Sequence, residues 1–465
     1  MLTRLITIAA LLLASATAFT AGVTLPEYKR VELDNGTVLL LIEKRDVPLV
    51  GVQALLRGGA VADPDGRNGT ASLLASLIQK GAGERDAMQF VEAIASVGGE
   101  LSARAGLEAI TVSAEFMARD ADLMIELLAD MLMRPTLDEQ EFDKLRERNI
   151  NSILAAKDGN PNVLLAAYGS AFLFSGHPYG NPVSGSESTL AAIEHADLLA
   201  WYEEHVGGDR LVIAVSGDFD VAAMQQKLSE AFGGWRAATG ELPEIPVAEP
   251  ETGTRVLLID KPGATQSYFM MGNVGVAVDF AQRADLDLVN TVFGGRFTSM
   301  LNTALRVESG LTYGARSSLL RPSTPGYVAI SSFTATGTTV EAIDMALGVL
   351  AQLRDGAIDA ETVESGRNYI LGQVPTSFET ASQLAGTFAM LEGYGLPVTH
   401  INDYGAALAG VDVESIAPVI DEVYPDAENL VYVILGDAEQ IRDKVSKYGP
   451  VTELAISEPR FRVGD

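Results

Sequence analysis

Leu211-Val-Ile-Ala-Val-Ser-Gly217-Asp218 and Leu430-Val-Tyr-Val-Ile-Leu-Gly436-Asp437 are two copies of one pattern: an unbroken apolar run of strand length that ends on Gly-Asp. Such a run fits a strand buried on both faces. The copies lie 219 residues apart, 437 less 218. Upstream, the turn Asp34-Asn35-Gly36 leads into an apolar strand, Val38 to Ile42, followed by Glu43-Lys44. The strand Val256 to Ile259, followed by Asp260-Lys261, repeats it. A third pair, Leu137 to Phe142 against Ile358 to Val363, recurs at an offset of 221, 358 less 137. Three matches in the same order at nearly one offset identify an internal duplication. Thr239 to Thr254, rich in Pro, Glu and Gly, reads as the linker between the copies.

Each copy mixes helices and strands. Asp86 and Gln89 form a capping pattern before the apolar stripe Phe90, Ile94 and Val97, and Gly98-Gly99 closes that helix. Glu100 to Ala105 and Ala109 to Phe116 read as a strand pair. A helix from about Asp120 stops at Arg134 because Pro135 follows, and a longer one begins near Asp138. The second copy has a comparable order: a helix to Phe293, another to Ser309, strands around Tyr313 and Val328, then helices from Thr339 and Asp359. The expected class is α+β: two homologous halves, each a mostly antiparallel sheet with helices packed on one face, joined into a clamshell. The expected division is 1–18, 19–238, a linker 239–254, and 255–465.

Composition narrows the chemistry. The chain has 465 residues, 47% of them hydrophobic, a net charge of −29, no cysteine and four histidines. The absence of cysteine excludes disulfides, thiolate-held metals and a thiol nucleophile. The acidic balance opposes nucleic-acid binding, since the phosphate backbone would be repelled. Residues 1–18 have the order of a secretory signal. Arg4 supplies a positive start, Leu5 to Ala16 an apolar run too short to span a bilayer, and Ala16-Thr17-Ala18 a cleavage site. Export to a periplasm or secretion is expected, with no membrane span after cleavage.

Gly66-Arg-Asn-Gly69-Thr-Ala-Ser72-Leu-Leu-Ala75-Ser76-Leu-Ile-Gln-Lys80-Gly81 follows a strand and a Gly-rich loop. With the duplication and linker, this resembles the pitrilysin/insulinase-like zinc peptidases, the inverzincins, to which mitochondrial processing peptidase belongs. Gly176-His-Pro-Tyr-Gly180, the Gly217-Asp218 strand end, Phe293-Gly-Gly-Arg-Phe-Thr-Ser299 and Leu305-Arg306-Val-Glu-Ser-Gly310-Leu-Thr-Tyr313 carry the same resemblance across nearly the whole mature chain.

The resemblance implies an H-x-x-E-H helix in active members, with two zinc-binding histidines and a glutamate that activates water. Those positions correspond to Ser72, Ala75 and Ser76. The implied third ligand, a Glu on the long later helix, falls near Asn151 or Ser152. A serine hydroxyl is a poor zinc ligand and Ala75 cannot take a proton. No H-x-x-E-H occurs elsewhere: His177, His195, His205 and His400 each lack a partner four residues away. His177 in its Gly/Pro/Tyr turn serves the loop, as the resemblance implies; the others read as structural or solvated. This chain is therefore expected to bind no cofactor.

Arg306 and Tyr313 admit two readings. An Arg near a helix C-terminus favours the helix dipole, and Tyr is a common strand residue. The resemblance implies a role: in this family an Arg and a Tyr at this spacing reach across the cleft to hydrogen-bond the scissile carbonyl as it becomes an oxyanion. Phe293-Gly294-Gly295 is either a helix cap or a loop that lets the cleft close. Glu100 to Ala105, with basic Arg104, is either an ordinary edge or one onto which an extended peptide adds.

Loss of the zinc motif with retention of Arg306 and Tyr313 matches the non-catalytic subunit of the bacterial two-chain members. It would be inactive alone and would pair with a homologous H-x-x-E-H subunit that carries the zinc. The two would enclose unfolded peptides. The alternative is a catalytically dead scaffold or peptide-binding protein of the same fold.

Overall fold

A computed structural model describes residues 23–462, so the expected signal segment lies outside the described residues. The first half places strands β1 (Lys29–Glu32), β2 (Val38–Glu43), β3 (Leu49–Arg57), β4 (Glu100–Ala105), β5 (Ala109–Met117) and β6 (Leu211–Gly217) in one sheet, ordered β1-β2-β6-β3-β5-β4. The second half contributes β7 (Arg255–Asp260), β8 (Gln266–Val274), β9 (Ala315–Leu320), β10 (Tyr327–Ala335), β11 (Val431–Gly436) and β12 (Val451–Ala455), ordered β12-β7-β11-β8-β10-β9. Set side by side, β2-β6-β3-β5-β4 and β7-β11-β8-β10-β9 are one topology twice. The duplicated Gly-Asp strands β6 and β11 hold the same place in both. Each runs parallel to one neighbour, β2 or β7, and antiparallel to the other, β3 or β8. The remaining pairs are antiparallel except β12, which runs parallel to β7 at the outer edge.

The helices that matter to the site are α1 (Thr70–Leu77), α2 (Ala87–Ser96), α3 (Ala121–Met133), α4 (Glu139–Gly159), α5 (Leu165–Leu173), α6 (Arg283–Asn290), α7 (Thr339–Arg354), α8 (Ala360–Gln373) and α9 (Ala381–Gly393). Local chemistry sets their ends. Asp86 accepts from the Gln89 amide while the Gln89 side chain accepts from the Asp86 amide, a closed capping box for α2. Asp138 and Asp359, the duplicated aspartates, cap α4 and α8 by the one-way bond alone, accepting from Glu141 N and Thr362 N.

α1, α3, α4 and, in the second half, α6 and α7 cover one face of each sheet, as the α+β reading expects. The other faces are covered by exchange. α5, from the first half, packs on β8 and β11 of the second sheet; a Cβ on its Gly169 would sit 2.6 Å from the Met270 sulfur. α9, from the second half, packs on β3 and β6 of the first sheet. There Leu384, Ala385 and Phe388 join Leu40, Ile42 and Val212 in a separate core. Gly51 of β3 is fitted so closely to α9 that a Cβ would meet Ser382 N at 2.6 Å. Each half thus leaves one apolar sheet face that only the other half covers.

Two expected helices are not plain α-helices. After Asn290 the chain continues as a wider π-helical turn, Thr291–Gly295. After three α-helical residues, Met300–Asn302, a second π-helical turn spans Thr303–Glu308. π-turns are rare and cluster at functional sites. The first has a packing cause. A Cβ on Gly294 would lie 2.1 Å from Ser317 N, so the turn is pressed against the backbone of β9.

Candidate functional site

α1 carries the positions that correspond to the zinc motif. Its N-terminus is held by Asp63, whose carboxylate accepts from Gly69 N at 2.7 Å and Ala71 N at 2.8 Å. Gly69 has a positive φ of 103°, the left-handed turn that lets the loop enter the helix. Asp63 is 8% exposed. Burial pushes its carboxyl up to about 7, while the amide bonds from Ala71 and Gly69 pull the other way.

Within α1, Ala75 is 1% exposed and packed among Leu73, Leu74 and Leu77. Ser76 Oγ donates back to Ser72 O at 3.0 Å, the ordinary self-satisfaction of a helical serine. Gln79, which sequence reasoning passed over, donates from Nε2 to Ala75 O at 2.7 Å and to Ala103 O at 3.0 Å, tying the end of α1 to β4. α4 packs against α1, but Asn151 and Ser152 are exposed on it, and Ser152 Oγ donates to Arg148 O at 2.8 Å. The donor set at α1 does not fit zinc: two self-bonded or half-buried serines, a buried methyl, and no carboxylate from α4.

β4 is an edge strand, paired only with β5. Gly106 N donates to Ala109 O at 2.7 Å, so by alternation Arg104 and Ser102 bond to β5 while Leu101, Ala103 and Ala105 turn their backbone groups outward. One of those outward carbonyls, Ala103, is the one taken by Gln79. Arg104 is exposed.

His177, His195 and His400 each make a local hydrogen bond, and His205 packs against Trp201. His177 Nδ1 accepts from Tyr179 N at 3.1 Å, so its Nε2 carries the proton and donates to Pro246 O at 2.9 Å, pinning the linker. His195 Nε2 bonds Leu137 O at 2.6 Å. Burial, and then Arg210, push His205 below its ordinary value. Burial, and then Arg283, push His400 down to about 4; Arg283 donates to its Nε2. Among the described residues no group of three His, Asp or Glu side chains is placed to hold a metal ion.

Arg306 sits in the second π-turn, half-buried. Its guanidinium lies over the Phe297 ring, 4.6 Å from the centroid. Phe297 is itself 62% exposed, and sequence reasoning missed it; its place nine residues before Arg306 spans the short helix and turn that fold it back. Tyr313 is not in a strand. Thr312 Oγ1 donates to Gly314 O at 3.1 Å and accepts from Gly314 N at 3.1 Å, and Ser332 Oγ donates to Gly314 O at 2.9 Å. This turn delays the strand to Ala315 and leaves Tyr313 at its apex, 81% exposed. The backbone is pinned to β10 while the phenol projects outward.

Two family models match consecutive stretches. Residues 39–187 match the insulinase family, peptidase family M16, and residues 192–370 match the peptidase M16 inactive domain. The chain belongs to this pitrilysin/insulinase-like family. Relatives include an uncharacterized zinc protease, YmxG, of Bacillus subtilis, 25% identical over 357 residues, covering 76% of this chain and 85% of that protein. Another, from Mycobacterium leprae, is 28% identical over 317 residues, covering 67% and 69%. Among solved structures, a protease from Helicobacter pylori superposes with a TM-score of 0.82 at 19% identity, covering 88% of this chain and all of that one. A peptidase M16 inactive domain from Pseudomonas fluorescens does so at 0.82 and 18%, covering 88% and 98%. These two likenesses carry the fold, and the α+β clamshell is that of the family.

Proposed function

We propose that this chain is the subunit without zinc in an exported, two-chain zinc peptidase. Its role is to bind unfolded peptide and to bring Arg306 and Tyr313 to the partner's site. The reading rests on one contrast within the molecule. The α1 positions offer neither ligand nor base, while Tyr313 stands 81% exposed and, seven residues before it in the chain, the Arg306 guanidinium is held over a surface ring. A phenol and a guanidinium both suit an oxyanion that develops on a substrate held elsewhere. A zinc on the partner would supply the activated water. This chain's residues orient the peptide carbonyl and stabilise the charge that forms on it. The outward groups of Leu101 and Ala105 on β4 offer backbone pairing to an extended peptide.

The test is to mix the purified chain with a homologous exported chain carrying H-x-x-E-H and to follow cleavage of an unfolded peptide. Activity that neither chain has alone is the expected result. A mixture no faster than the H-x-x-E-H chain by itself would overturn the proposal.

A further inference from the structure

α9 leaves a gap where it crosses from the second half onto the first sheet. Between α9, the outer face of β3, the β4–β5 turn, the linker and the end of β9 lies a cavity of about 650 Å³. Its walls come from both halves. Leu55 and Leu107 belong to the first, Leu320 and Met390 to the second, and Leu242 and Ile245 to the linker. All six are apolar yet half-buried or exposed, so their uncovered surface faces this space. The gap has a cause in the sequence. Gly386, Ala389 and Gly393 put the small side of α9 toward it, and a Cβ on Gly386 would meet nothing within 4 Å. A mostly apolar cavity of roughly 300–1,000 Å³ with a few placed polar groups is the usual form of a small-molecule site.

The charged groups are two arginines and one acid, with Gln53, Thr111, Ser323 and Tyr394 as neutral polar neighbours. Glu108 is already engaged, accepting from Tyr179 Oη at 2.6 Å and from Ser323 N at 3.1 Å, which ties the halves together at one end of the cavity. Arg57 is exposed at the rim and, among the described residues, donates a long 3.4 Å bond to Glu392 O. Arg321 is paired with Asp287 through Nη2 at 2.8 Å, while its buried Nη1 has no hydrogen-bond partner among the described residues. In a chain of net charge −29, guanidinium groups beside an apolar cavity are the local exception that would admit an anionic head group.

We propose that this seam binds a lipid-like monocarboxylate, with its apolar chain between α9 and β3 and its carboxylate at Arg57 and Arg321. Since the walls come from both halves, the ligand would act as a removable wedge between them. The proposal does not depend on peptidase activity.

Calorimetric titration of the purified chain with sodium dodecanoate, below its micelle concentration, tests it. One-to-one, saturable binding is expected, with dodecanol at least tenfold weaker. Gly386→Leu should fill the cavity and weaken dodecanoate at least tenfold while leaving the melting temperature equal or higher, because Leu also favours the helix more than Gly does. Should that variant melt early, Leu242→Asp on the exposed linker provides the second reading, placing a repelling carboxylate in the wall. Arg57→Gln should weaken dodecanoate and leave dodecanol unchanged. Unsaturable binding, or binding unmoved by both Gly386→Leu and Leu242→Asp, would overturn the site; equal affinity for dodecanol would overturn the head-group assignment.

Discussion

α1 and the segment from Thr291 to Tyr313 are the two places where family chemistry is expected, and they differ in opposite directions. α1 has closed. Its motif positions are small, one is 1% exposed, and its polar atoms satisfy one another or bind β4. The 291–313 segment has stayed open. It keeps two π-turns and displays Phe297, Val307 and Tyr313 at 62%, 64% and 81% exposure. A site released from chemistry drifts toward core, because burying small apolar groups stabilises and exposed aromatics do not. Under the proposed function, the exposed phenol and the ring-stacked guanidinium meet a substrate held at the partner's site. That contrast can be broken at either end.

The largest effect is expected at the open end. In the proposed two-chain enzyme, Arg306→Ala or Tyr313→Phe should lower kcat about 10²–10³-fold, the usual cost of one oxyanion donor, equal to about 2.7–4 kcal/mol. KM and assembly should change little, because the group acts on charge present only in the transition state. Arg306→Lys should rescue poorly, lacking the planar fork. Unchanged kcat with a slightly lower melting temperature would return Arg306 to a helix-end role.

Reversing the closed end comes next. Ser72→His, Ala75→Glu and Ser76→His together should give no vigorous zinc-dependent turnover. A catalytic zinc needs three protein ligands and an open position, and the α4 positions that correspond to the third ligand, Asn151 and Ser152, are exposed and carry no carboxylate. Ala75→Glu should by itself destabilise the chain, by about 1–3 kcal/mol for overpacking and more for the buried carboxyl, seen as a drop in melting temperature. Brisk turnover by the triple variant would show that the third ligand lies elsewhere.

How much of this was legible follows the same division. The duplicated strands were readable because β6 and β11 are unbroken apolar runs with the same ending. The helix ends were readable because Asp86, Asp138 and Asp359 stand where caps belong. The exchange of α5 and α9 was not. α5 is apolar nearly all round, so its periodicity says that it is buried but not under which sheet. The π-turns were hidden because five or six residues are too few to tell their wider period from the α-helical one. Tyr313 read as a strand residue by type, while a threonine hydroxyl one position earlier had already set the turn. Asp63 escaped notice because its helix begins seven residues later, across a glycine-rich loop.

Asp63 offers a third, smaller test of the closed end. Its carboxyl holds a proton up to about 7 when folded and to about 3.8 when not, so between those values the folded chain binds more protons. Its contribution is therefore full below about pH 4 and is lost as pH rises toward 7, by up to about 1.4 kcal/mol per pH unit. Asp63→Asn loses one of the two amide bonds at every pH but cannot ionise. Denaturant midpoints measured from pH 4 to 8 should slope downward in the parent and less so in the variant. Parallel slopes would mean that α1 is capped by a carboxyl with an ordinary affinity for protons.

The smallest expected effect lies at Phe297, and it asks how the open end keeps its geometry. Phe297 does not reach a substrate in this reading; it is a positioning residue whose ring holds the Arg306 guanidinium 4.6 Å from its centroid. At an exposed site such a contact contributes about 0.5–1 kcal/mol, so Phe297→Ala should cost about two- to fivefold in kcat of the two-chain enzyme. KM should be little changed, and stability nearly so, because the ring is 62% exposed. Phe297→Tyr keeps the aromatic face and should restore the rate, while Phe297→Leu keeps bulk without the face and should not. In an Arg306→Ala background, Phe297→Ala should have no further effect, since the ring acts only through the guanidinium. If the two substitutions multiply instead, the ring is meeting the peptide or the partner directly, and the exposed surface around Tyr313 extends to Phe297 as a contact in its own right.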